Sequence, residues 1–178
     1  MLSPLEPGFW PHLTAQPEWR DGQPNPVDRW SRRVITEIAE RYHGTPVFPF
    51  GDPPWQPFLT WAIASGAFHA SPVQLLVHQT MGLWSSFRGA IILRDEIATS
   101  PTPNPCETCL TKPCLTACPV AAMTENGYDT KACHTYLDTA PGKICLNSGC
   151  RVRNACPLSQ SYGRVESQSA HHMRQFHI

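Results

Sequence analysis

All eight cysteines of this chain lie in one stretch, from Cys106 to Cys156. They form two runs of four, and the last cysteine of each run precedes a proline: Cys106, Cys109, Cys114 and Cys118-Pro119, then Cys133, Cys145, Cys150 and Cys156-Pro157. A 4Fe–4S cluster needs four thiolates, so eight cysteines supply two clusters with none left over. The pattern therefore predicts two 4Fe–4S clusters and a role in electron transfer.

Two other uses of the cysteines stay open. Disulfides would need an oxidising compartment, but residues 1–7 lack the basic start and apolar run of a signal peptide, so we expect a cytoplasmic location. Two four-thiolate zinc sites would also use all eight residues. Structural zinc usually takes paired C-x2-C knuckles, and only Cys106 and Cys109 have that spacing here. The two Cys-Pro closures favour iron–sulfur over both alternatives.

The Cys-Pro residues also predict which thiolates share a cluster. In two-cluster ferredoxins, the Cys-Pro cysteine of one run binds the cluster of the other run. This rule predicts a first cluster on Cys106, Cys109, Cys114 and Cys156, and a second on Cys118, Cys133, Cys145 and Cys150. Nearby cations would favour the reduced, more negative state, and the candidates by sequence are Lys131, Lys143, Arg151 and Arg153. Gly142 and Gly149 are expected to bring backbone N–H groups close to sulfur.

Charge and hydropathy exclude several other functions. The formal net charge is +0, from 14 basic and 14 acidic residues, so nothing indicates binding to nucleic acid or to an anionic membrane. No apolar run approaches the roughly 20 residues of a membrane helix. Residues 101–178 hold 7 basic and 5 acidic residues, and this mildly basic half is expected to dock redox partner proteins. No nucleotide-binding or nucleophile motif is present, and no catalytic residue is assigned.

The distribution of proline predicts the domain organisation. Three prolines between residues 101 and 105 separate a scaffold, residues 1–100, from a two-cluster domain, residues 101–178, with a C-terminal tail that is expected to fray. The predicted fold class is α+β, with a small bacterial-ferredoxin-like domain packed on an N-terminal α/β scaffold. Six prolines among the first 27 residues predict an extended arm.

Periodicity predicts the individual elements. Trp30, Val34, Ile38 and Tyr42 recur every four residues, which predicts a helix from about residue 26 to 43 that buries this stripe. A short helix is expected near residues 58–68, and strands at 75–78 and 88–93. Asn126-Gly127 predicts a two-residue hairpin turn, and Asp129 is expected to cap the next helix. We expect His78 to be a hydrogen-bonded core residue and His134 to be a surface residue.

The segment from Cys106 to Pro157 resembles the ferredoxin domain of epoxyqueuosine reductase and of related reductive dehalogenases. The likeness is strongest in Cys118-Pro119, in residues 129–137 and in Cys150…Cys156-Pro157; upstream, Leu75-Leu76-Val77-His78, Gly82, Trp84 and Gly89 also look similar. The resemblance implies an electron relay on the eight cysteines. In that family a large domain before the clusters holds cobalamin, but this chain has only about 100 residues there, so no corrinoid residue is carried over.

Two functional hypotheses follow from the motifs and the resemblance together. The first is a ferredoxin-like electron carrier rather than a catalyst, because the chain is too short for the cobalamin domain. The alternative is a compact iron–sulfur reductase that uses a second cofactor. Binding of cobalamin or flavin would distinguish the two.

Overall fold

Short helices and two-stranded antiparallel sheets make up this α+β chain, of which a computed structural model describes residues 1–177. The helices are α1 Phe9–Thr14, α2 Pro17–Arg20, α3 Pro26–Arg41, α4 Phe58–Ala64, α5 Thr130–Leu137, α6 Lys143–Ser148, α7 Arg151–Ala155, α8 Pro157–Ser161 and α9 Glu166–Phe176. The strands are β1 Thr45–Val47, β2 Phe68–Ala70, β3 Leu76–His78, β4 Ala90–Ile92, β5 Met123–Thr124 and β6 Gly127–Tyr128, and a 3₁₀ turn spans Pro113–Leu115.

The chain divides into two compact units. The N-terminal unit comprises Met1–Ser65 and Ser86–Ser100, and the cysteine unit comprises Gly66–Ser85 and the chain from Pro101 onward. One division between the two units falls after Ser100, beside the prolines at 101–105. Residues 66–85, however, group with the cysteine segment and not with the predicted scaffold. They contain the strand pair β2–β3 and the loop that follows it.

The first 27 residues are not the predicted extended arm. Helices α1 and α2 form there, and Phe9 and Trp10 are buried. Pro17 opens α2 and Pro26 opens α3, where a proline costs nothing because the first turn of a helix needs no intrahelical N–H donor. The prediction was wrong because it treated these prolines as helix breakers when they mark helix starts.

Helix α3 forms where periodicity predicted it but buries a different stripe. Its buried residues are Val27, Ser31, Ile35 and Ala39, whereas the predicted Trp30, Val34 and Ile38 are half-buried and Tyr42 is 68% exposed. The small side chains let neighbouring elements approach closely, and the Ser31 hydroxyl donates to the Val27 carbonyl over 2.6 Å. A hydrophobicity pattern does not reveal such a face, because serine does not count as apolar.

The strands pair in three separate two-stranded sheets, β1 with β4, β2 with β3, and β5 with β6. Strands β3 and β4 confirm the predictions at 75–78 and 88–93. Hairpin β5–β6 also forms, but Thr124 pairs with Gly127, so Glu125 and Asn126 make the turn, one residue earlier than predicted. Among residues 1–177, no helix is long and apolar enough to cross a membrane.

In the cysteine unit, two small cores form around the cysteines. The larger contains Val73, Val77, Leu83, Met123 and Val152, with Cys114 among them. The smaller contains Leu137, Cys145 and Leu146. Asp129 caps α5 as predicted, since its carboxylate accepts from the Ala132 N–H over 2.8 Å. The expected frayed tail is instead helix α9, which packs against α6 and buries Gln168, Ser169 and Ala170.

Candidate metal centres

The first thiol set, Cys106, Cys109, Cys114 and Cys156, lines one cavity of about 420 Å³. Cys114 lies in the 3₁₀ turn, and Cys156 occupies the junction between α7 and α8. Val77 and Leu83 of the larger core form an apolar wall of the same cavity. Thiols more than forty positions apart in the sequence thus line a single, mainly apolar cavity.

Burial makes two of these thiols, Cys106 and Cys114, reluctant to ionise in the absence of a metal. It raises the pKa of Cys106 to about 11, with further contributions from neighbouring Cys114, Cys156 and Cys109 and an opposing one from Lys112. Burial also raises the pKa of Cys114. A thiolate here would therefore need a positively charged partner, and bound metal is such a partner because it deprotonates coordinating thiols.

The second thiol set, Cys118, Cys133, Cys145 and Cys150, is assembled from four neighbouring segments. Cys133 lies on α5, Cys145 on α6, and Cys150 at the N-cap of α7. Burial raises the pKa of Cys133, and Cys150 and Cys118 add to this increase. Burial likewise raises the pKa of Cys145, with Cys150 and Cys133 nearby.

The membership of the two sets is crossed with respect to the sequence. Cys156 ends the second run but lies with the first three cysteines, and Cys118 ends the first run but lies with the later three. The crossed-ligand rule requires this grouping. The metal ligands themselves remain a prediction.

Hairpin β5–β6 and the residue before it contact two of the four thiols in the second set. The Ala122 N–H donates to the Cys118 sulfur over 3.2 Å, and the Met123 sulfur lies 4.0 Å from the sulfur of Cys150. Tyr128 ends the hairpin, pairs with Met123 and is 39% exposed. Burial raises the pKa of Tyr128, and the Cys133 thiol adds to that shift, so the phenol stays protonated.

Of the four cations predicted from the sequence, two lie close to thiols. Arg151 lowers the pKa of Cys145 through its backbone N–H and its charge. Burial lowers the pKa of Arg153, and the neighbouring Cys150 opposes that shift. Lys131 is exposed, and the Lys143 ammonium donates to the Leu137 carbonyl over 3.3 Å. Lys112 lies close to Cys106. It was missed because the four cations predicted from the sequence were those within or beside the second run of cysteines.

The N–H groups of the two glycines themselves bind oxygen atoms and not sulfur. The Gly149 N–H donates to the Cys145 carbonyl over 2.9 Å, and the Gly142 N–H donates to the Thr139 hydroxyl over 3.2 Å. Their value is close packing, since a Cβ on Gly142 would lie 1.9 Å from the Tyr136 carbonyl oxygen. Ala122, which does donate to sulfur, carries no sequence signal beyond its place four residues after Cys118.

The histidines take structural positions. His78 Nδ1 accepts from the Thr80 N–H over 3.1 Å, which confirms the hydrogen-bonded role expected for it. The ring of His134 packs against Phe176 with centroids 4.6 Å apart. His177 Nε2 lies 2.9 Å from the Asp138 carboxylate.

The number, type and surroundings of the thiols decide whether 4Fe–4S clusters could bind here. Within residues 1–177, no three His, Cys, Asp or Glu side chains are placed to hold a single metal ion. A cube instead binds each thiolate to a different iron and spreads them more widely. Ser71 lines the first cavity, and its buried hydroxyl has no hydrogen-bond partner, so it is a donor that a cluster sulfur would satisfy. In number and type of donor, the residues fit two clusters.

No protein-family model, no curated protein and no solved structure matches the chain.

Proposed function

We propose that this chain is an electron-transfer protein that carries two 4Fe–4S clusters. The first would be held by Cys106, Cys109, Cys114 and Cys156, and the second by Cys118, Cys133, Cys145 and Cys150. The observation that carries the proposal is the collection of all eight thiols into two groups of four with crossed membership. Such crossing is the ligand arrangement of two-cluster ferredoxins, and a bacterial-ferredoxin-like core is therefore part of the proposal.

The clusters, when bound, would supply one-electron chemistry, and the chain would supply their environment. Val77, Leu83 and Met123 exclude water from the space between the thiols. The backbone N–H of Ala122 and the charge of Arg153 oppose the negative charge that collects on the second thiol set. Burial, charge and hydrogen bonds to sulfur are the means by which a protein sets a cluster's reduction potential.

The resemblance to the ferredoxin domain of epoxyqueuosine reductase supports the same proposal. The segments that carry it, including residues 75–78, Gly82 and Trp84, belong to the cysteine unit, apart from Gly89. We therefore interpret the chain as a shortened relative that kept the relay. Its partners would be redox proteins that dock on the mildly basic cysteine half, in the cytoplasm.

Metal and sulfide analysis of anaerobically purified protein tests the proposal. We expect brown protein with about eight iron and eight sulfide per chain. Colourless protein with about two zinc ions would replace the proposal with a four-thiolate zinc module. Titration with cobalamin and with flavin distinguishes carrier from reductase, since stoichiometric binding of either at micromolar concentration would indicate the compact reductase.

A further inference from the structure

Buried serine hydroxyls are, with one exception, paired in the described chain. Among residues 1–177, the buried serines are Ser31, Ser71, Ser85, Ser159 and Ser169. Four of these hydroxyls form hydrogen bonds with protein atoms. The Ser71 hydroxyl has none with any described residue, although Ser71 is only 6% exposed. A buried polar group without a partner costs free energy, so this hydroxyl is available to a ligand.

Ser71 is held in place by its backbone. It follows β2 and begins the turn that leads to β3. Its N–H donates to the Leu75 carbonyl over 2.9 Å, and its carbonyl accepts from the Gln74 N–H over 2.9 Å. Val73 in the same turn and Val77 on β3 are buried in the larger core. The turn is thus anchored and the backbone groups of Ser71 are paired, so within the described chain only its hydroxyl still needs a partner.

Ser71 lies beside a space that such a partner can occupy. It lines the 420 Å³ cavity together with the four thiols of the first set. The other polar side chains of the cavity wall that carry no thiol belong to Thr108, Thr111 and Lys112, and all three residues are exposed to water. A serine side chain rotates among three staggered positions, so the Ser71 hydroxyl can turn towards an acceptor that the thiols hold.

We propose that Ser71 is a potential-tuning residue of the first site: its hydroxyl donates a hydrogen bond to a sulfur atom of the 4Fe–4S cluster held there and raises the reduction potential of that cluster. The inference rests on the proposed function. Reduction by one electron from a redox partner protein adds a negative charge that the cluster and thiolate sulfurs share. Hydrogen bonds to charged acceptors are the stronger ones, so the hydroxyl stabilises the reduced state more than the oxidised state.

Replacing Ser71 with alanine removes the donor. In an EPR-monitored redox titration of the iron-loaded protein, we expect two midpoint potentials. In S71A one of them should fall by about 59 mV, the equivalent of a tenfold change in a one-electron equilibrium, and it should be the one that C106A/C156A lacks. S85A is the matched control, because Ser85 is also buried but its hydroxyl donates to the Gly82 carbonyl over 3.0 Å; both potentials should stay at their wild-type values. Unshifted potentials in S71A with both clusters present would overturn the proposal.

A second pair of variants covers loss of the first cluster in S71A. Threonine and valine have almost the same shape, so S71T and S71V differ mainly in the hydroxyl. S71T should keep the wild-type potential, and S71V should show the fall or lose the first cluster; equal potentials, or loss of that cluster from S71T, would overturn the proposal. Exchanged into D2O, S71T should also show, by electron–nuclear double resonance, a deuteron coupled to the first cluster that is absent from S71V. Protein that contains no iron refutes the proposed function itself, whereas iron-loaded protein without these differences refutes only the role of Ser71.

Discussion

The N-terminal unit and the cysteine unit are stabilised by different kinds of interaction. Among the described residues, four ion pairs lie in the N-terminal unit, and it contains no cysteine. The cysteine unit holds an ion pair between His177 and Asp138, and all eight thiols. Its two small cores include Cys114 and Cys145 as core residues. If the proposed clusters bind, they would complete the core of the cysteine unit, whereas the N-terminal unit holds no thiol for them to bind.

Removing iron gives the largest expected difference between the units. A ligand that binds only the folded state adds about 4 kcal/mol when its concentration is a thousandfold above Kd, and here it would act on the cysteine unit. We expect hydrogen exchange to show lost protection in α5 and α6 after chelation, while amides of α3 stay protected. Equal losses in both units would show that they unfold as one body and would remove the contrast.

Paired cysteine substitutions test the crossing inside the cysteine unit. If the sets are crossed, the double variant C106A/C156A loses one cluster and retains about four iron atoms, because both residues serve the first site. C145A/C156A affects both sites and should retain almost none. Iron analysis of the two variants, with C156A alone as the reference, gives the result. The reverse order of the two doubles would show that each run of four binds its own cluster.

Two glycines allow a matched test of packing in the two units. Gly82 in the cysteine unit (φ +54°) and Gly22 in the N-terminal unit (φ +71°) both have left-handed backbone. A Cβ on Gly82 would lie 2.4 Å from the Ser159 backbone nitrogen, whereas one on Gly22 would meet nothing within 4 Å. G22A should therefore cost about 1 kcal/mol from the backbone, and G82A about 1–3 kcal/mol more from overpacking.

Denaturant titration of both variants measures these costs. G82A should also weaken cluster retention, since Leu83 next to it forms part of the first cavity. Equal costs for G82A and G22A would mean that the loop around Ser159 can move aside, and that residues 66–85 pack less firmly in the cysteine unit than the structure indicates.

What the sequence could predict also differs between the units. In the cysteine unit, thiolate chemistry demands a fixed number of ligands, so eight cysteines and two prolines were enough to predict two sets of four thiols, which remain a prediction as ligand sets. Ala122 could not be found this way, because a backbone amide that donates to sulfur has no fixed spacing from the cysteine that it reaches. In the N-terminal unit, helix α3 was predictable, but its buried face was not, since Ser31 and Ala39 are buried for their small size.

The smallest expected effect is an opposite pH response of the two units in metal-free protein. In the N-terminal unit, the hydrogen bond from Arg33 lowers the pKa of Glu18, and the one from Arg29 lowers the pKa of Asp21. Their contribution to stability is therefore present above about pH 4.3, the unfolded value of glutamate, and is lost as the pH falls below it. These pairs are near the surface, where solvent screens the charges, so the loss should be small.

In the cysteine unit the sign is reversed. Burial raises the pKa of Cys106 to about 11, above the unfolded value of about 8.5. The folded unit thus holds its protons more tightly than the unfolded chain, and this contribution is complete below about pH 8.5 and is lost as the pH rises towards 11. Amide resonances of α3 and α5, followed through melts at acid, neutral and alkaline pH, separate the two responses. R33Q should weaken the loss of stability of α3 at acid pH, and C106A should weaken the loss of stability of α5 at alkaline pH. If alkali destabilised α3 as much as α5, the thiols would not be the cause of the alkaline loss.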